Sequence, residues 1–346
     1  MYSNMKRILL IYTGGTIGMK RDPKSGALKP FDFNQITEEV PELRELGYKI
    51  DNISFDPIID SSDVRPDLWV DLCRMIESNY RRYDGFVVLH GTDTMAYSAS
   101  ALSFMLESLE KPVIFTGSQL PIGVVRTDGR DNLISSIEIA AAQDAEGHAI
   151  VPEVCIYFEN RLYRGNRTTK NNAEDFSAFV SANCLPLAEV GIHIKYNRQQ
   201  IRYPSQWGRA LSVNTDLDTR VAILKIFPGM SSEYVEAILG MGNLKAVVLE
   251  TYGSGNSMSS PAFLNALTSF SQSGGIILNV TQCQAGSVDM GAYANGEILS
   301  RTGVVGGYDI TTESALTKLF TLLGRYSDVE QVKYYLSVNI CGEISK

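Results

Sequence analysis

The sequence predicts an α/β protein of two α/β domains: a larger N-terminal domain built on a mostly parallel sheet and a smaller C-terminal domain built on a parallel sheet. Short apolar runs alternate with longer amphipathic stretches along the chain, and this order is typical of parallel strands connected by helices. Several of the runs are apolar at every position, which indicates strands that are covered on both faces.

Seven apolar runs are predicted to form the strands of these sheets. They occupy residues 7–12, 85–91, 111–117, 153–160, 220–227, 245–253 and 274–283. The helical pattern of apolar residues is clearest at 67–80 and 95–109. A polar stretch without helical periodicity, 197–220, separates two series of strands and helices. We therefore predict domains at 1–195 and 219–346, joined by a linker at 196–218.

The composition argues against several functional classes. The 346 residues carry a formal net charge of -8, whereas a nucleic-acid surface needs a basic stripe. No apolar run approaches the roughly 18 residues of a membrane span, and the stretch 8–11 is too short for a secretory leader. The five cysteines and three histidines lack the spacing of a disulfide framework or a zinc site. We expect a cytoplasmic protein without a bound metal.

Three of the predicted strands end in glycine beside small polar side chains. These ends are Thr-Gly-Gly-Thr at 13–16, Gly-Thr-Asp-Thr at 91–94 and Gly-Ser-Gln at 117–119. Because ligands bind at the carboxyl ends of parallel strands, we expect the three ends to converge on one site. Glycine lets the backbone turn sharply and lets a ligand approach closely. A dinucleotide-binding loop is disfavoured, since neither GxGxxG nor the GK[ST] of a phosphate loop is present.

Thr16 and Thr92 are candidate catalytic hydroxyls. A threonine after a strand most often caps a helix, but a second hydroxyl beside a carboxylate, as in Thr92-Asp93, suits proton transfer. A threonine nucleophile also needs a base. His90 and Lys170 are the candidates on the sequence alone, although a hydrogen-bonded core histidine and a solvated surface lysine are the more common states of such residues.

Five segments of the chain resemble the bacterial-type L-asparaginase family. TGGTIG and GFVVLHGTDTM are similar to the two signature motifs of that family, and three further segments are similar to it as well. The five lie at 13–18, 85–95, 117–133 (GSQLPIGVVRTDGRDNL), 162–170 (LYRGNRTTK) and 281–296 (TQCQAGSVDMGAYANG). The resemblance spans nearly the whole chain. LYRGNRTTK and the lack of a recognisable signal peptide resemble the cytoplasmic, type I branch.

The resemblance implies an activity and the residues that carry it. The family hydrolyses L-asparagine to L-aspartate and ammonia without a cofactor. Thr16 is then the nucleophile that forms a β-acyl-enzyme with the substrate. Thr92, Asp93 and Lys170 match the second threonine, the aspartate and the lysine of the family, and Asp93 also receives the substrate ammonium.

The resemblance also implies how the substrate is held and which partners to expect. Asp60, Ser61 and Ser62 match the loop that binds the α-carboxylate and amine of the substrate. A small-molecule substrate, L-asparagine, and a homo-oligomer, dimer or tetramer, follow, with no nucleic acid and no membrane. Other hypotheses stay open: a glutaminase-asparaginase, an amidase with a larger substrate, and a non-catalytic amino-acid or nucleotide sensor. A lipid hydrolase is reported for fused relatives, but the chain ends too soon for their appended repeat domain.

Two positions depart from the family pattern. Many members carry an activating tyrosine in the mobile loop after the first motif, whereas the loop 19–30 has none and Ala27 stands near its place. The group that deprotonates Thr16 is therefore open: a tyrosine from elsewhere, a water, or Lys170 acting through Thr92. The composition of this loop, with proline, glycine and charges, still suits a lid.

The second departure is Glu250. Allosteric type I relatives place an arginine there, in an effector site that also uses the stretch matching 279–283. The corresponding region here would comprise Glu250, Asn279, Thr281 and Cys283. Because a glutamate cannot clamp a carboxylate as arginine does, we predict that asparagine does not act cooperatively on this protein.

Overall fold

The chain forms two compact units in the computed structural model, which describes residues 5–21, 28–30, 36–291 and 298–346. The first unit comprises Met1–Ser181 and Leu185–Val213, and the second comprises Ala182–Cys184 and Asn214–Lys346. The domain limits that the sequence suggested, at 195 and 219, stay a prediction.

The described part of the first unit contains fourteen strands and four α-helices. The strands are β1 Arg7–Tyr12, β2 Met19–Arg21, β3 Leu28–Pro30, β4 Lys49–Ser54, β5 Gly85–Leu89, β6 Leu106–Glu107, β7 Val113–Thr116, β8 Val154–Phe158, β9 Arg161–Arg164, β10 Thr169–Lys170, β11 Phe179–Val180, β12 Ala188–Val190, β13 Ile194–Tyr196 and β14 Ser212–Val213. The helices are α1 Ile36–Glu39, α2 Pro66–Asn79, α3 Met95–Met105 and α4 Gly129–Ala141. Single 3₁₀ turns lie at Thr16–Gly18, Pro41–Arg44, Ser61–Asp63 and Gly165–Arg167.

The main sheet of this unit is mostly parallel, as the sequence predicts. Its strands follow the order β13-β12-β9-β8-β7-β5-β1-β4. The five strands from β8 to β4 are parallel to one another, and β9, β12 and β13 continue the sheet in antiparallel fashion. Every residue of β5, β7 and β8 is buried, which explains why these strands are apolar throughout rather than alternating.

The second unit is an all-parallel sheet between two helical layers. Its strands, in the order β15-β16-β17-β18, are β15 Val221–Lys225, β16 Ala246–Thr251, β17 Ile276–Thr281 and β18 Val305–Gly306. The helices are α5 Ser232–Leu239, α6 Pro261–Gln272, α7 Thr312–Arg325 and α8 Val329–Leu336, with a short helical segment at 298–300. Val247 packs in the core that includes α5 and α6, and Val248 in the core that includes α7 and α8, so both faces of β16 are covered.

The helix starts of the second unit are fixed by local sequence. Ser231, Ser260, Thr311 and Asp328 each accept a hydrogen bond from a backbone N–H in the first turn of the helix that follows. Such caps satisfy donors that a helix start otherwise leaves unpaired. Among the residues that the structure describes, no helix combines the length and apolar character needed to cross a bilayer.

Candidate active site

Three loops of the first unit touch one another at glycines. Gly15 has a φ of +91°, and a side chain there would place its Cβ 2.6 Å from Cα of Gly91. A Cβ on Gly91 would in turn lie 2.4 Å from Oγ of Ser61, and one on Gly14 would lie 2.0 Å from the carbonyl oxygen of Ile59. Only glycine fits at these positions. The loops that carry Thr-Gly-Gly-Thr, Gly-Thr-Asp-Thr and Asp-Ser-Ser are therefore packed main chain to main chain.

The third strand end, 117–119, joins the same cluster. A Cβ on Gly117 would lie 2.4 Å from the carbonyl oxygen of His90, the residue before Gly91. A Cβ on Gly129 would meet Cβ of Ser118 at 3.2 Å and Cγ1 of Ile17 at 3.4 Å. The predicted convergence of the three strand ends is confirmed, because each loop contacts a residue of another.

Thr16 is the first residue of the 3₁₀ turn Thr16–Gly18 and is half-buried. The cap position of that turn belongs to Gly15, which offers no side chain. The hydroxyl of Thr16 therefore does not cap the turn, and among the described residues it has no hydrogen-bond partner. An oxygen in this state is available to a substrate.

Lys170 joins the two polar residues of the second motif. Its Nζ atom donates to Oγ1 of Thr92 over 2.9 Å and to Oδ1 of Asp93 over 2.7 Å. The Lys170 side chain is 19% exposed and that of Asp93 is 63% exposed, so the ammonium is largely shielded while the carboxylate is accessible to solvent. The structure thus brings together three residues that are up to 78 positions apart in sequence.

Lys170 is held in place by a short hairpin. It lies in β10, opposite Phe179 of β11. Phe179 is buried and packs edge-on against Phe158 of the main sheet, with ring centroids 5.1 Å apart. The surface-lysine interpretation is therefore wrong for Lys170, whose side chain turns toward the strand ends.

The loop 60–62 forms the other side of the site. Ser61 Oγ lies 3.5 Å from Oδ2 of Asp93, and the Thr94 hydroxyl donates to the Ser61 carbonyl over 2.7 Å. The carboxylate of Asp60 accepts bonds from the backbone N–H and the hydroxyl of Ser62 at 2.9 and 2.8 Å. These bonds lower the pKa of Asp60. Asp60 and Ser62 therefore shape the turn, and Ser61 is the member of the loop that contacts another site residue.

His90 belongs to a buried network and not to the reacting groups. Its Nδ1 lies 2.7 Å from the Gly91 carbonyl oxygen, and its Nε2 lies 3.0 Å from Oγ of Ser98, which accepts from Nε1 of Trp69 at 2.9 Å. Because a carbonyl only accepts, Nδ1 must carry the ring proton. Burial lowers the pKa of His90 to about 4, so the ring is neutral at pH 7. The core-histidine interpretation is confirmed.

The same network orients a backbone donor. The Gly91 carbonyl faces His90, and the N–H of Thr92 belongs to the same planar peptide and points the opposite way. Within the described residues, neither this N–H nor that of Thr16 has a hydrogen-bond acceptor. Both N–H groups are thus available to a negatively charged oxygen, and each belongs to one of the two threonines.

The structure argues against one candidate for the base that deprotonates Thr16, a neighbouring tyrosine. Tyr12 lies close by, since its hydroxyl donates to the Gly15 carbonyl over 3.3 Å. Burial raises the pKa of Tyr12 to about 12, so the phenol keeps its proton at neutral pH and is no base. Strands β2 and β3 pair in antiparallel fashion, and Ala27 lies outside the described residues.

Asp128 is a site-supporting residue that the sequence analysis did not single out. Its carboxylate accepts from the backbone N–H groups of Gln119 and Leu120, at 2.9 and 3.1 Å, and from the side-chain amide of Asn132 at 3.2 Å. Asn132 also donates to the Gly117 carbonyl over 3.0 Å. The segment 117–133 resembles a family motif, but nothing in its composition indicates that Asp128 holds the strand end at Gln119, nine residues earlier.

The predicted effector residues lie in the second unit, at the ends of β16 and β17. The Glu250 carboxylate accepts from the Thr312 hydroxyl over 2.6 Å and lies 3.5 Å from Nζ of Lys225. Its side chain is 12% exposed. Glu250 is therefore already paired within its own unit.

The other three effector candidates differ in accessibility. Asn279 is fully buried and accepts from the Thr251 hydroxyl over 2.7 Å. Thr281 donates to the Gly253 carbonyl over 2.6 Å and accepts from the backbone N–H of Cys283 at 3.0 Å. Cys283 is exposed. Only Thr281 and Cys283 of this set offer polar atoms near the surface.

The chain matches two family models that together cover most of its length. Residues 7–202 match the N-terminal asparaginase domain, and residues 220–336 match the glutaminase/asparaginase C-terminal domain. The chain belongs to the asparaginase family. Members of this family are hydrolases that act on amide bonds, and the resemblance seen in the sequence is thereby confirmed.

Relatives of this asparaginase-family chain include type I enzymes. It is 43% identical to L-asparaginase 1 of Escherichia coli K12, with 98% of each chain covered. It is 39% identical to the human 60 kDa lysophospholipase, of which it covers 62%. The crystal structure of L-asparaginase I from Vibrio cholerae superposes with a TM-score of 0.90 at 40% identity, covering 99% of this chain and all of that one.

Proposed function

We propose that the protein hydrolyses L-asparagine to L-aspartate and ammonia through a threonyl acyl-enzyme. Family membership supports the amide-hydrolase chemistry, and the names of several similar proteins point to asparagine. The observation that carries the proposal is the pair of bonds from Lys170 to Thr92 and Asp93, at 2.9 and 2.7 Å, beside a Thr16 hydroxyl that has no partner among the described residues.

Thr16 is the proposed nucleophile. Its Oγ1 attacks the side-chain amide carbon, the C–N bond breaks, and an ester between Thr16 and the aspartyl group remains. Water then attacks this ester, releases aspartate and restores the Thr16 hydroxyl. In this scheme the N–H groups of Thr16 and Thr92 hold the oxyanion in both steps, and such donors typically contribute about 10²–10³ in rate.

Thr92 is the proposed proton carrier. Lys170 donates to its oxygen, which leaves the Thr92 hydroxyl proton free for a reacting group. Thr92 gives this proton to the leaving nitrogen as it takes the proton of Thr16, so ammonia departs neutral. In the second step the water proton passes to Thr92 while Thr92 returns its own to Thr16. This relay needs no separate tyrosine base, although a water or a tyrosine from elsewhere stays an alternative.

Asp93 and the loop 60–62 are proposed to bind the ends of the amino acid. The exposed carboxylate of Asp93 pairs with the α-ammonium of the substrate, since a charge-assisted bond is stronger than a neutral one. The hydroxyl of Ser61, 3.5 Å from Asp93, and donors of the turn that Asp60 and Ser62 hold together bind the α-carboxylate.

Ammonia release by wild type and by Thr16→Ala tests the proposal. We expect the variant to lose on the order of 10³ or more in turnover while it still binds asparagine, and Thr16→Ser to keep part of the activity. Mass spectrometry after an acid quench should find the aspartyl adduct on the peptide that contains Thr16. Wild-type turnover by Thr16→Ala would overturn the assignment.

The substrate range needs a separate comparison. Similarity to a lysophospholipase favours lipid hydrolysis as a second candidate activity, and one methylene separates glutamine from asparagine, a difference worth only 10–200-fold in a pocket that does not misplace polar groups. We expect kcat/KM to be highest for L-asparagine among asparagine, glutamine, D-asparagine and lysophospholipid. A cytoplasmic location and a homo-oligomeric state stay predictions, to be tested by fractionation and by mass measurement in solution.

A further inference from the structure

The side chain of Gln119 reaches from the third strand end to the turn that follows Lys170. Its Nε2 donates to the carbonyl oxygen of Asp175 over 2.9 Å and to that of Ala173 over 3.3 Å. Both acceptors are carbonyls, so the nitrogen and not the oxygen of the amide must face them. Gln119 and these two acceptor residues are 54 and 56 positions apart in sequence.

The turn that Gln119 contacts directly follows β10, the strand that contains Lys170. Asn171 donates from its backbone to the Ala178 carbonyl over 2.8 Å, and the Asn172 side chain accepts from the backbone N–H groups of Glu174 and Asp175. Residues 171–175 are exposed, whereas the other end of the hairpin is anchored by buried Phe179. Lys170 pairs with Phe179 at the base of the hairpin, and the contact from Gln119 limits how far the exposed turn that joins these two residues can move.

Gln119 is itself anchored, which makes it a firm support. Its backbone N–H is held by the carboxylate of Asp128, just before α4, at 2.9 Å. Gly117, two residues earlier, packs against His90. The chain of contacts thus runs from the helix start through Gln119 to the 171–178 hairpin and ends at Lys170.

We propose that Gln119 is a positioning residue that acts through the 171–178 hairpin to hold Lys170 against Thr92 and Asp93. The inference rests on the proposed function, because it gives Lys170 a part in turnover. Gln119 touches neither the reacting atoms nor the substrate in this scheme. Its loss should therefore lower kcat and leave KM for asparagine nearly unchanged.

The test compares Gln119→Met with Gln143→Met. Both replace an amide by a side chain of similar length, but Gln143 donates to Asp84, next to the start of β5, at the opposite end of the sheet. We expect Gln119→Met to lower kcat about five- to tenfold, the effect of one hydrogen bond, and to speed hydrogen exchange in 171–178. Gln143→Met should change neither. Wild-type kcat in folded Gln119→Met would overturn the proposal.

A double-mutant cycle separates a positioning role from general loosening. If Gln119 acts through Lys170, adding Gln119→Met to Lys170→Met should lower the residual rate by less than twofold, since coupled residues are not additive. An additive five- to tenfold loss in the double variant would show that Gln119 acts elsewhere. Failure of the proposed function is distinguishable, because it would appear in the wild type as absent ammonia release.

Discussion

Lys170 donates to Oγ1 of Thr92 across 78 residues of chain, over 2.9 Å. No periodicity or composition around Lys170 predicts this bond. It arises because β10 pairs with a strand whose Phe179 is buried against the main sheet. The link makes the side chain of Lys170 part of the same polar cluster as the second motif.

Replacement of Lys170 by methionine should cripple turnover in a folded protein. The substitution removes the donor to Thr92 and the partner of Asp93, so both the proton carrier and the ammonium-binding carboxylate lose their support. We expect kcat to fall at least about a hundredfold, in the range reported for loss of acid–base groups. Lys195→Met, at an exposed position of β13, is the control and should keep wild-type rates. Equal rates for both variants would restore the surface interpretation of Lys170.

Replacement of Gly15 by alanine should be more disruptive than replacement of Gly147, a glycine with a similar positive φ. At Gly15 the methyl group would collide with the main chain of Gly91, whereas Gly147, with a φ of +86°, has no atom closer than 4.0 Å. We expect Gly147→Ala to cost about 1 kcal/mol from backbone strain alone. Gly15→Ala should cost more and abolish ammonia release. Similar melting temperatures and rates for the two variants would contradict the steric account.

His90 should make the folded state sensitive to mild acid. Its pKa is about 4 in the folded protein and near 6.5 when unfolded, so between these values the unfolded chain binds a proton that the folded chain does not. The contribution of His90 to stability should therefore decrease as pH falls from 6.5 to 4, by up to about 3 kcal/mol in total, and stay constant below pH 4. Denaturant unfolding across this range measures the slope.

The variant His90→Asn isolates that contribution. Asparagine can still donate to the Gly91 carbonyl but does not titrate, so its unfolding free energy should fall less steeply with acid than that of wild type. His148→Asn, at a half-exposed histidine of the same unit, should retain the wild-type slope. Parallel slopes for wild type and His90→Asn would show that His90 carries no such effect.

Because position 250 is a glutamate, we expect the steady-state rate to depend hyperbolically on asparagine concentration. Its carboxylate is engaged by Thr312 and lies near Lys225, and a second carboxylate arriving there would meet like charge. We expect steady-state rates to follow a simple saturation curve with a Hill coefficient near one. A clearly sigmoidal curve that a substitution near Cys283 makes hyperbolic would overturn this prediction.

The sequence predicts the buried strands better than the edges of the sheets. The seven apolar runs all form strands, and six of them are buried along nearly their whole length, which leaves a continuous apolar signal, whereas β15 is only partly buried. Strand β4, with the sequence KIDNIS, was missed since it lies at the edge and is only partly buried. The antiparallel strands β9, β12 and β13 were missed as well, and two of them have only three residues each.

Contacts between residues far apart in sequence explain the other differences between the predicted and the observed structure. The helix expected over 95–109 ends at Met105, because Leu106 and Glu107 pair with Val213 and Ser212 instead. The residues at strand ends were predictable since parallel strands deliver them to one edge. The supports at Asp128 and Gln119 were not, because their role depends on which loop lies across from them.

The glycine contacts at 14, 15 and 91 have a consequence for engineering. Since the main chains of these loops touch, the backbone contacts fix the positions of Thr16 and Thr92. Substitutions at the three glycines cannot adjust these positions without a clash. A randomised library that includes the three positions should return glycine at each among active clones. Changes in substrate range are better sought at Ser61, whose hydroxyl meets the side chain of Asp93.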